Sequence, residues 1–219
     1  FITALIFIAI LFYRREFVKI DSSQLLRFVG IGCIIAIHWV AFYGSIKYAN
    51  ASIALTCLAT AGIFTSLFQP LLLKTKFNFR EMLIGFIALT GMYSIYHFEV
   101  QYALGILLGV FASMLSALFT VMNKKIVHEF PARMVAFYEI GAGFLFLTFL
   151  LPIYCWVQPQ VSFVPLPYDW LYLLILSLCC TVWGQSLALS ALKKLSPFTT
   201  VLMVNLEPVY GIILAMLIY

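Results

Sequence analysis

Three residues near the end of the chain place an amide, a carboxylate and a helix breaker inside one apolar run. Asn205, Glu207 and Pro208 lie in the stretch from 193 to 219, which is otherwise mostly apolar. A carboxylate deep in an apolar helix costs roughly 3 kcal/mol or more, so it faces protein or water rather than lipid. Pro208 removes one backbone donor and loosens the helix at that point. An ionisable group beside a helix break is typical of a solute pathway through a membrane.

Two interpretations of this group stay open. Glu207 with Pro208 forms either a proton- or substrate-linked site, or a structural motif in which the carboxylate bonds backbone groups freed near the proline. Asn205 either lines a cavity or joins neighbouring helices. The nearest basic residues along the helix, Lys193 and Lys194, lie roughly 20 Å from Glu207 at 1.5 Å per residue. Its partner must therefore come from another helix, from backbone or from water.

A second set of candidates lies in the middle of two other apolar runs. His38 and Trp39 combine a protonatable ring with an aromatic one, which suits the wall of a polar cavity. Trp183 and Gln185 occupy similar positions in a later run. The alternative for His38 is a structural hydrogen bond to a neighbouring helix. We expect all four side chains to face one interior space rather than lipid.

The composition excludes a soluble globular domain. Hydrophobic residues make up 64% of the 219 residues and charged residues 10%, whereas a soluble domain is about 25% charged. The mean hydropathy is +1.08. The apolar runs also lack the alternation that marks the strands of an outer-membrane barrel. The sequence therefore predicts an all-α membrane protein, a multi-span helical bundle.

The sequence carries no recognisable motif for catalysis or metal binding. GxSxG, HExxH, a Walker loop and a close carboxylate pair are missing from it. The cysteines lie in apolar runs without CxxC or Cys/His ligand spacing, so we expect them to be buried apolar side chains. We predict no catalytic residue, no metal and no cofactor. The five cysteines are Cys33, Cys57, Cys155, Cys179 and Cys180.

Eight apolar runs predict membrane-spanning helices, and the first of them is partial. Most contain about 20 residues, enough to cross a bilayer core of roughly 30 Å. Gly105 and Gly109 have the GxxxG spacing that lets helix backbones approach closely. Asp21 and Ser22 are candidate helix caps. The predicted spans are 1–13, 24–47, 51–73, 81–96, 102–122, 134–156, 170–192 and 193–219.

The basic residues predict the orientation of these spans. All lysines and arginines except Lys47 fall in alternate loops, which the positive-inside rule assigns to the cytoplasm. The net charge of +5 therefore reads as a topology signal rather than as a nucleic-acid-binding surface. The residues on the cytoplasmic side are Arg14, Arg15, Lys19, Arg27, Lys74, Lys76, Arg80, Lys124, Lys125, Arg133, Lys193 and Lys194.

Segments 21–52 and 167–198 share a weak common layout. Each holds a span with a central cysteine and ends in a short Lys-bearing turn before another span. Cys33 and Cys179 have the same separation as Lys47 and Lys193. The first segment is predicted to cross from inside to outside and the second from outside to inside. Inverted repeats of this kind place a substrate path near the bilayer midplane.

The chain resembles the EamA-domain branch of the drug/metabolite transporter superfamily. The residues that carry the resemblance are ALKKLSPFTTVLMVNLEPVYGIILAMLIY at the end and SIKYANASIALTCLATAGIFTSLFQP in the first half. GFIALTGMYSIY and GILLGVFASMLSALFTVMNKKIV fit the next two helices of the family's pattern. The motifs are diffuse, but they cover almost the whole chain.

This resemblance implies ten helices in two inverted five-helix repeats. On that template eight helices are present: helix one, part of helix two and helix ten are expected to be missing. The repeats would cover 1–100 and 101–219. Gly62 stands where many relatives have a first-repeat proline, so the helix break of this repeat is expected to be displaced to Pro70, and Pro208 is the expected break of the second repeat.

The function predicted from these features is secondary transport of small organic metabolites by alternating access. An inner-membrane exporter of bacterial type is expected, with the basic loops in the cytoplasm. Its partners would be a small-molecule substrate and the lipid bilayer, without nucleic acid, and a homodimer is left open. The alternatives are an intramembrane enzyme acting on lipid-linked substrates, and a channel or scaffold subunit.

Overall fold

A computed structural model describes residues 1–98, 100–157, 165–206 and 210. Throughout these ranges the regular elements are helical. A 3-10 turn, Val100–Tyr102, joins α5 to α6, and a π-helix, Leu176–Trp183, joins α8 to α9. The α-helices are α1 (Ile2–Arg14), α2 (Ser22–Tyr48), α3 (Ala51–Leu58), α4 (Ala61–Leu73), α5 (Phe79–Phe98), α6 (Ala103–Glu129), α7 (Ala132–Val157), α8 (Asp169–Ile175), α9 (Gly184–Lys194) and α10 (Pro197–Val204).

Five helical stretches are long and apolar enough to cross a membrane. A sixth apolar helix, α1, is shorter. The prediction of a multi-span helical membrane protein is therefore confirmed. The five stretches, counted over the described residues, are Ser22–Tyr48, Ala51–Leu73, Ala103–Glu129, Ala132–Trp156 and Asp169–Lys194.

Short polar side chains fix where several helices begin. The backbone N–H of Gln24 donates to Asp21 Oδ1 at 2.7 Å, and the backbone N–H of Asp21 donates to Gln24 Oε1 at 3.0 Å. This reciprocal cap before α2 confirms the prediction for Asp21. Asn50 caps α3, because its side chain accepts from the Ile53 N–H at 2.9 Å. α2 ends at Tyr48, in the short turn between the predicted spans 24–47 and 51–73.

The chain packs as two compact units. The first contains residues 1–36 and 126–193, and the second contains 37–125 and 194–219. Each unit draws on both predicted repeats, so the units are not the repeats themselves. The repeat boundaries stay a prediction.

In the first unit, α2 and α7 cross at a pair of glycines. A Cβ added at Gly32 would lie 2.4 Å from the Glu139 carbonyl oxygen, and one at Gly143 would lie 3.0 Å from the Gly32 carbonyl oxygen. Aromatic rings pack nearby, where Phe28 stacks on Tyr138 with ring centroids 5.2 Å apart. Backbone contact and stacked rings together fix α2 against α7.

In the second unit, the GxxxG residues of α6 are the contact points for other helices. A Cβ at Gly105 would lie 2.6 Å from the Ala49 Cβ, and one at Gly109 would lie 2.7 Å from the Cys57 Cβ. The close approach expected from this spacing is therefore present, and it takes place inside the chain.

The structure corrects the prediction that Pro70 breaks the third span. Pro70 lies inside α4, which continues through it to Leu73. The break is instead at Ala59 and Thr60, between α3 and α4. Pro70 sits near the end of its helix, where the loss of one donor interrupts little. The break is made by side-chain and 3-10 hydrogen bonds, which need no proline.

Candidate functional site

A turn interrupts the third span close to its centre. The N–H groups of Ala59, Thr60 and Ile63 each donate to the carbonyl three residues earlier, at 3.1 Å, instead of four residues earlier. The Thr60 hydroxyl donates to the Cys57 carbonyl at 2.7 Å and competes with the helical pattern. Ala59 lies about 5 Å along the helix from the middle of the span. Backbone carbonyls are therefore released at about mid-membrane depth.

α10 also ends in a turn. Ser196 caps this helix through a hydrogen bond from the Thr199 N–H at 3.1 Å. The helix ends at Val204, and Asn205 and Leu206 form a turn. α3 and α10 both contain eight residues, both begin after a side-chain cap, and in both the next two residues have turn conformation.

The two interruptions touch within the second compact unit. The Asn205 side-chain amide donates to the Ala59 carbonyl oxygen at 3.1 Å. At the other end of α10, the Phe198 N–H donates to Gln69 Oε1 at 3.3 Å. The order of these contacts shows that α10 and α4 run antiparallel. Asn205, predicted from sequence as a site residue, thus supplies the donor for the carbonyl freed by the break.

Hydroxyl groups extend this polar contact to α6. Ser113 Oγ lies 2.8 Å from the Thr60 hydroxyl oxygen and 3.4 Å from the Leu58 carbonyl oxygen, and its one proton can be donated to either acceptor. Thr60 and Ser113 are both fully buried. The sequence analysis selected neither Ser113 nor Thr60 as a site residue. The signal that could have found Thr60 is a hydroxyl at the centre of an apolar span.

His38 forms a hydrogen bond to the backbone of α6 at Ala112, the residue before Ser113. Its Nδ1 lies 2.8 Å from the Ala112 carbonyl oxygen, and the side chain is buried. Because a carbonyl only accepts, Nδ1 carries the proton in this bond. The ring also packs against Phe42 and Phe119. This geometry matches the structural alternative for His38, a bond to a neighbouring helix. Trp39 is half-buried.

Trp183 and Gln185 belong to the first compact unit. Trp183 is 65% exposed and lines an open cleft of about 450 Å³. Gln185 is half-buried. Trp183 is the last residue of the π-helix, a geometry that often marks functional sites. That these two side chains share one space with His38 and Trp39 stays a prediction.

The remaining sequence candidates are Glu207 and Pro208. Both lie outside the residues that the structure describes, immediately after the Asn205 turn. Their predicted role at a second-repeat helix break therefore stays a prediction. In the described part of the chain, no group of three His, Cys, Asp or Glu side chains is arranged to hold a metal ion.

Comparison with known proteins identifies the family. The sequence model of the EamA-like transporter family matches residues 1–97 and 103–219, which is nearly the whole chain. No curated protein and no solved structure shows a significant match. The family match agrees with the resemblance drawn from the sequence motifs and with the apolar helices of the fold. The chain belongs to the EamA-like transporter family, whose members are transporters of the drug/metabolite type.

Proposed function

We propose that the chain is a secondary transporter of small organic metabolites that works by alternating access. The observation that carries the proposal is the hydrogen bond between two helix interruptions, from the Asn205 amide to the Ala59 carbonyl. Interrupted helices at mid-membrane depth are how many secondary transporters present backbone groups to a solute. Irregular backbone at this depth is tolerated where it is buried in protein or lines a cavity.

The polar groups at the interruption suit a small polar solute. The Asn205 amide offers two donors and an acceptor, and only one donor is used by Ala59. Thr60 and Ser113 add hydroxyl groups in an otherwise apolar setting. In one state Asn205 holds the Ala59 carbonyl, and in the other the solute takes over part of this hydrogen bonding. His38, Trp39, Trp183, Gln185 and Glu207 are the further candidates for the path, with Pro208 as the second break.

The proposed inverted repeats have support from the same region. α3 and α10 have equal lengths, and Ala59 is separated from Asn205 by 146 positions. This separation equals that of Cys33 and Cys179, which the sequence comparison paired. The antiparallel course of α4 and α10 is what opposite crossing of the two repeats requires. Rocking of one repeat against the other would then open the path to each side in turn.

The finer points of topology and location belong to the proposal as well. The proposed location is a bacterial inner membrane, and the distribution of lysine and arginine favours an orientation with the basic loops in the cytoplasm. The proposed direction is export. A homodimer is left open, since the GxxxG face of α6 is already occupied within the chain.

The experiment has two steps, because the solute must first be identified. A metabolite-release screen with the full-length protein gives the solute, and purified protein in liposomes then gives its flux. Asn205→Ala removes the donor for Ala59, and an unpaired buried carbonyl costs about 1–3 kcal/mol. If this free-energy cost adds to the barrier of the rate-limiting step, flux falls roughly 5- to 150-fold.

Met203→Ala is the matched control. Met203 lies two residues earlier, on α10, and is 57% exposed, so its truncation removes an exposed apolar side chain and no hydrogen-bond donor. Its flux should remain close to that of the unaltered protein. Equal flux for Asn205→Ala and the unaltered protein, with both folded, would contradict the proposed role of the interruption.

A further inference from the structure

An open cleft in the first compact unit lies outside the proposed Asn205 site. It has a volume of about 450 Å³, and it is lined by α1, the start of α7, and the segment from the end of the π-helix through α9. The wall from Trp183 to Lys193 is one face of a continuous helical segment, because its lining residues recur every three or four positions. The residues of that face are Trp183, Ser186, Leu187, Ser190 and Lys193.

The character of this wall changes along its length. Trp183 and Leu187 form an apolar end and are 65% and 57% exposed. Ser190 follows, and Lys193 forms a cationic end. The ten residue-to-residue steps from Trp183 to Lys193 span about 15 Å, which equals about half of a bilayer core. The wall therefore has the length and the polarity gradient of one lipid leaflet.

The cationic end of the cleft has a second positive group. Arg133, in the first turn of α7, forms an ion pair with Glu16 at 2.6 Å. Arg133, Glu16 and Lys193 all line the cleft, so two cationic side chains and one carboxylate meet at its mouth. The Arg133 side chain is 38% exposed and has donors beyond the one that meets Glu16. A guanidinium and an ammonium at one mouth suit a phosphate group.

We propose that this cleft binds an anionic phospholipid from the leaflet on the side of the basic loops. The phosphate of the headgroup would lie at Arg133 and Lys193, and one acyl chain would run along Leu187 to Trp183. Basic pockets between membrane helices bind lipid headgroups in this way. The exposed apolar end favours a lipid over a soluble phosphate, because a soluble anion gains nothing from Trp183 and Leu187.

The test uses Trp183 as the reporter. In the full-length protein, Trp39→Phe, Trp156→Phe and Trp170→Phe leave Trp183 as the fluorophore within the sequence studied. Any further tryptophan elsewhere in the full-length protein is replaced in the same way. The protein is placed in nanodiscs of phosphatidylcholine and phosphatidylglycerol, with brominated chains on one lipid at a time. Comparing the quenching gives the relative binding constant of the two lipids at Trp183.

We expect phosphatidylglycerol to be preferred about fivefold, which corresponds to ~1 kcal/mol for one lysine near the surface. Lys193→Gln should abolish the preference, and rising salt should weaken it. Lys194→Gln is the matched control: Lys194 is the next residue, is exposed, and is not part of the cleft lining. It should retain the preference.

Three results would overturn the proposal. The first is equal quenching by the two brominated lipids in the protein with Lys193 intact. The second is a loss in Lys194→Gln as large as in Lys193→Gln. The third is displacement of the lipid by glycerol phosphate in the buffer, which would assign the mouth to a soluble phosphate. None of these depends on solute flux, so failure here leaves the proposed transport function untouched.

Discussion

Replacing Gly32 with alanine tests the packing of α2 against α7. An added Cβ would lie 2.4 Å from the Glu139 carbonyl oxygen and 2.7 Å from the Ala142 Cβ, whereas real Cβ atoms essentially never come closer than 3.0 Å. The nearest atom belongs to the backbone, so a rotamer change cannot relieve it. The helices must separate by about 0.6 Å, and overpacking of this kind costs about 1–3 kcal/mol.

Gly30→Ala is the control on the same helix. Among the described residues, a Cβ at Gly30 would meet no atom within 4 Å. There alanine should raise stability by up to about 1 kcal/mol through its helix propensity. The free energy of unfolding, measured by SDS titration in mixed micelles, should fall for Gly32→Ala and stay equal or rise for Gly30→Ala. Equal stability of the two variants would refute the close crossing of α2 and α7.

Three further predictions concern the interruptions and the helix caps. Thr60→Val should lower the free energy of unfolding by about 1 kcal/mol, because it removes the hydrogen bonds of the Thr60 hydroxyl with Cys57 and Ser113. Thr60→Ser keeps the hydroxyl and should lose much less stability. Unchanged stability of Thr60→Val would contradict a stabilising role of these hydrogen bonds. Asn50→Ala should lower the free energy of unfolding by about 1 kcal/mol in the same titration, because it removes the cap of α3. Asn50→Asp keeps a capping oxygen and should lower it less. An equal decrease for both variants would contradict the capping role of Asn50. Glu207→Gln that leaves folding intact and abolishes flux would assign Glu207 to coupling or substrate binding, whereas a silent Glu207→Gln with poor expression of Glu207→Ala would make its role structural.

Sequence reasoning predicted the fold class because the relevant physics is local. Long apolar runs with few charges have few alternatives to spanning helices. The cap at Asp21 and the turn after Tyr48 also follow from residues close together in the chain. The GxxxG spacing of α6 indicated a close contact but could not name Ala49 and Cys57 as the partners.

The position of the helix break could not be predicted, because its cause leaves a weak signal. Proline is the usual marker of a kink, and it drew the expectation to Pro70. The observed break depends on the Thr60 hydroxyl. Its contact with the Cys57 carbonyl is local in the chain, whereas its contact with Ser113 forms only when α6 packs against this segment. A threonine in an apolar run is common, so its hydrogen bonds become informative only in three dimensions.

The site was predicted in part for the same reason. Asn205 was selected because an amide inside an apolar run needs a partner. That its partner is the Ala59 carbonyl, 146 residues earlier, depends on the antiparallel packing of α4 and α10. The cleft beside Trp183 likewise joins three separate parts of the chain, and no local pattern brings Glu16 and Arg133 together.

Exchange of labelled solute across liposomes is the most direct test of the proposed transport function. The full-length protein is reconstituted, and efflux of labelled solute is measured with and without unlabelled solute on the opposite side. For alternating access we expect flux that saturates with concentration and that rises when the opposite side is loaded. The flux should be lower in Asn205→Ala, by roughly 5- to 150-fold, and close to that of the unaltered protein in Met203→Ala. Flux that grows linearly with concentration and ignores the opposite side would show a channel and contradict transport through the paired interruptions of α3 and α10.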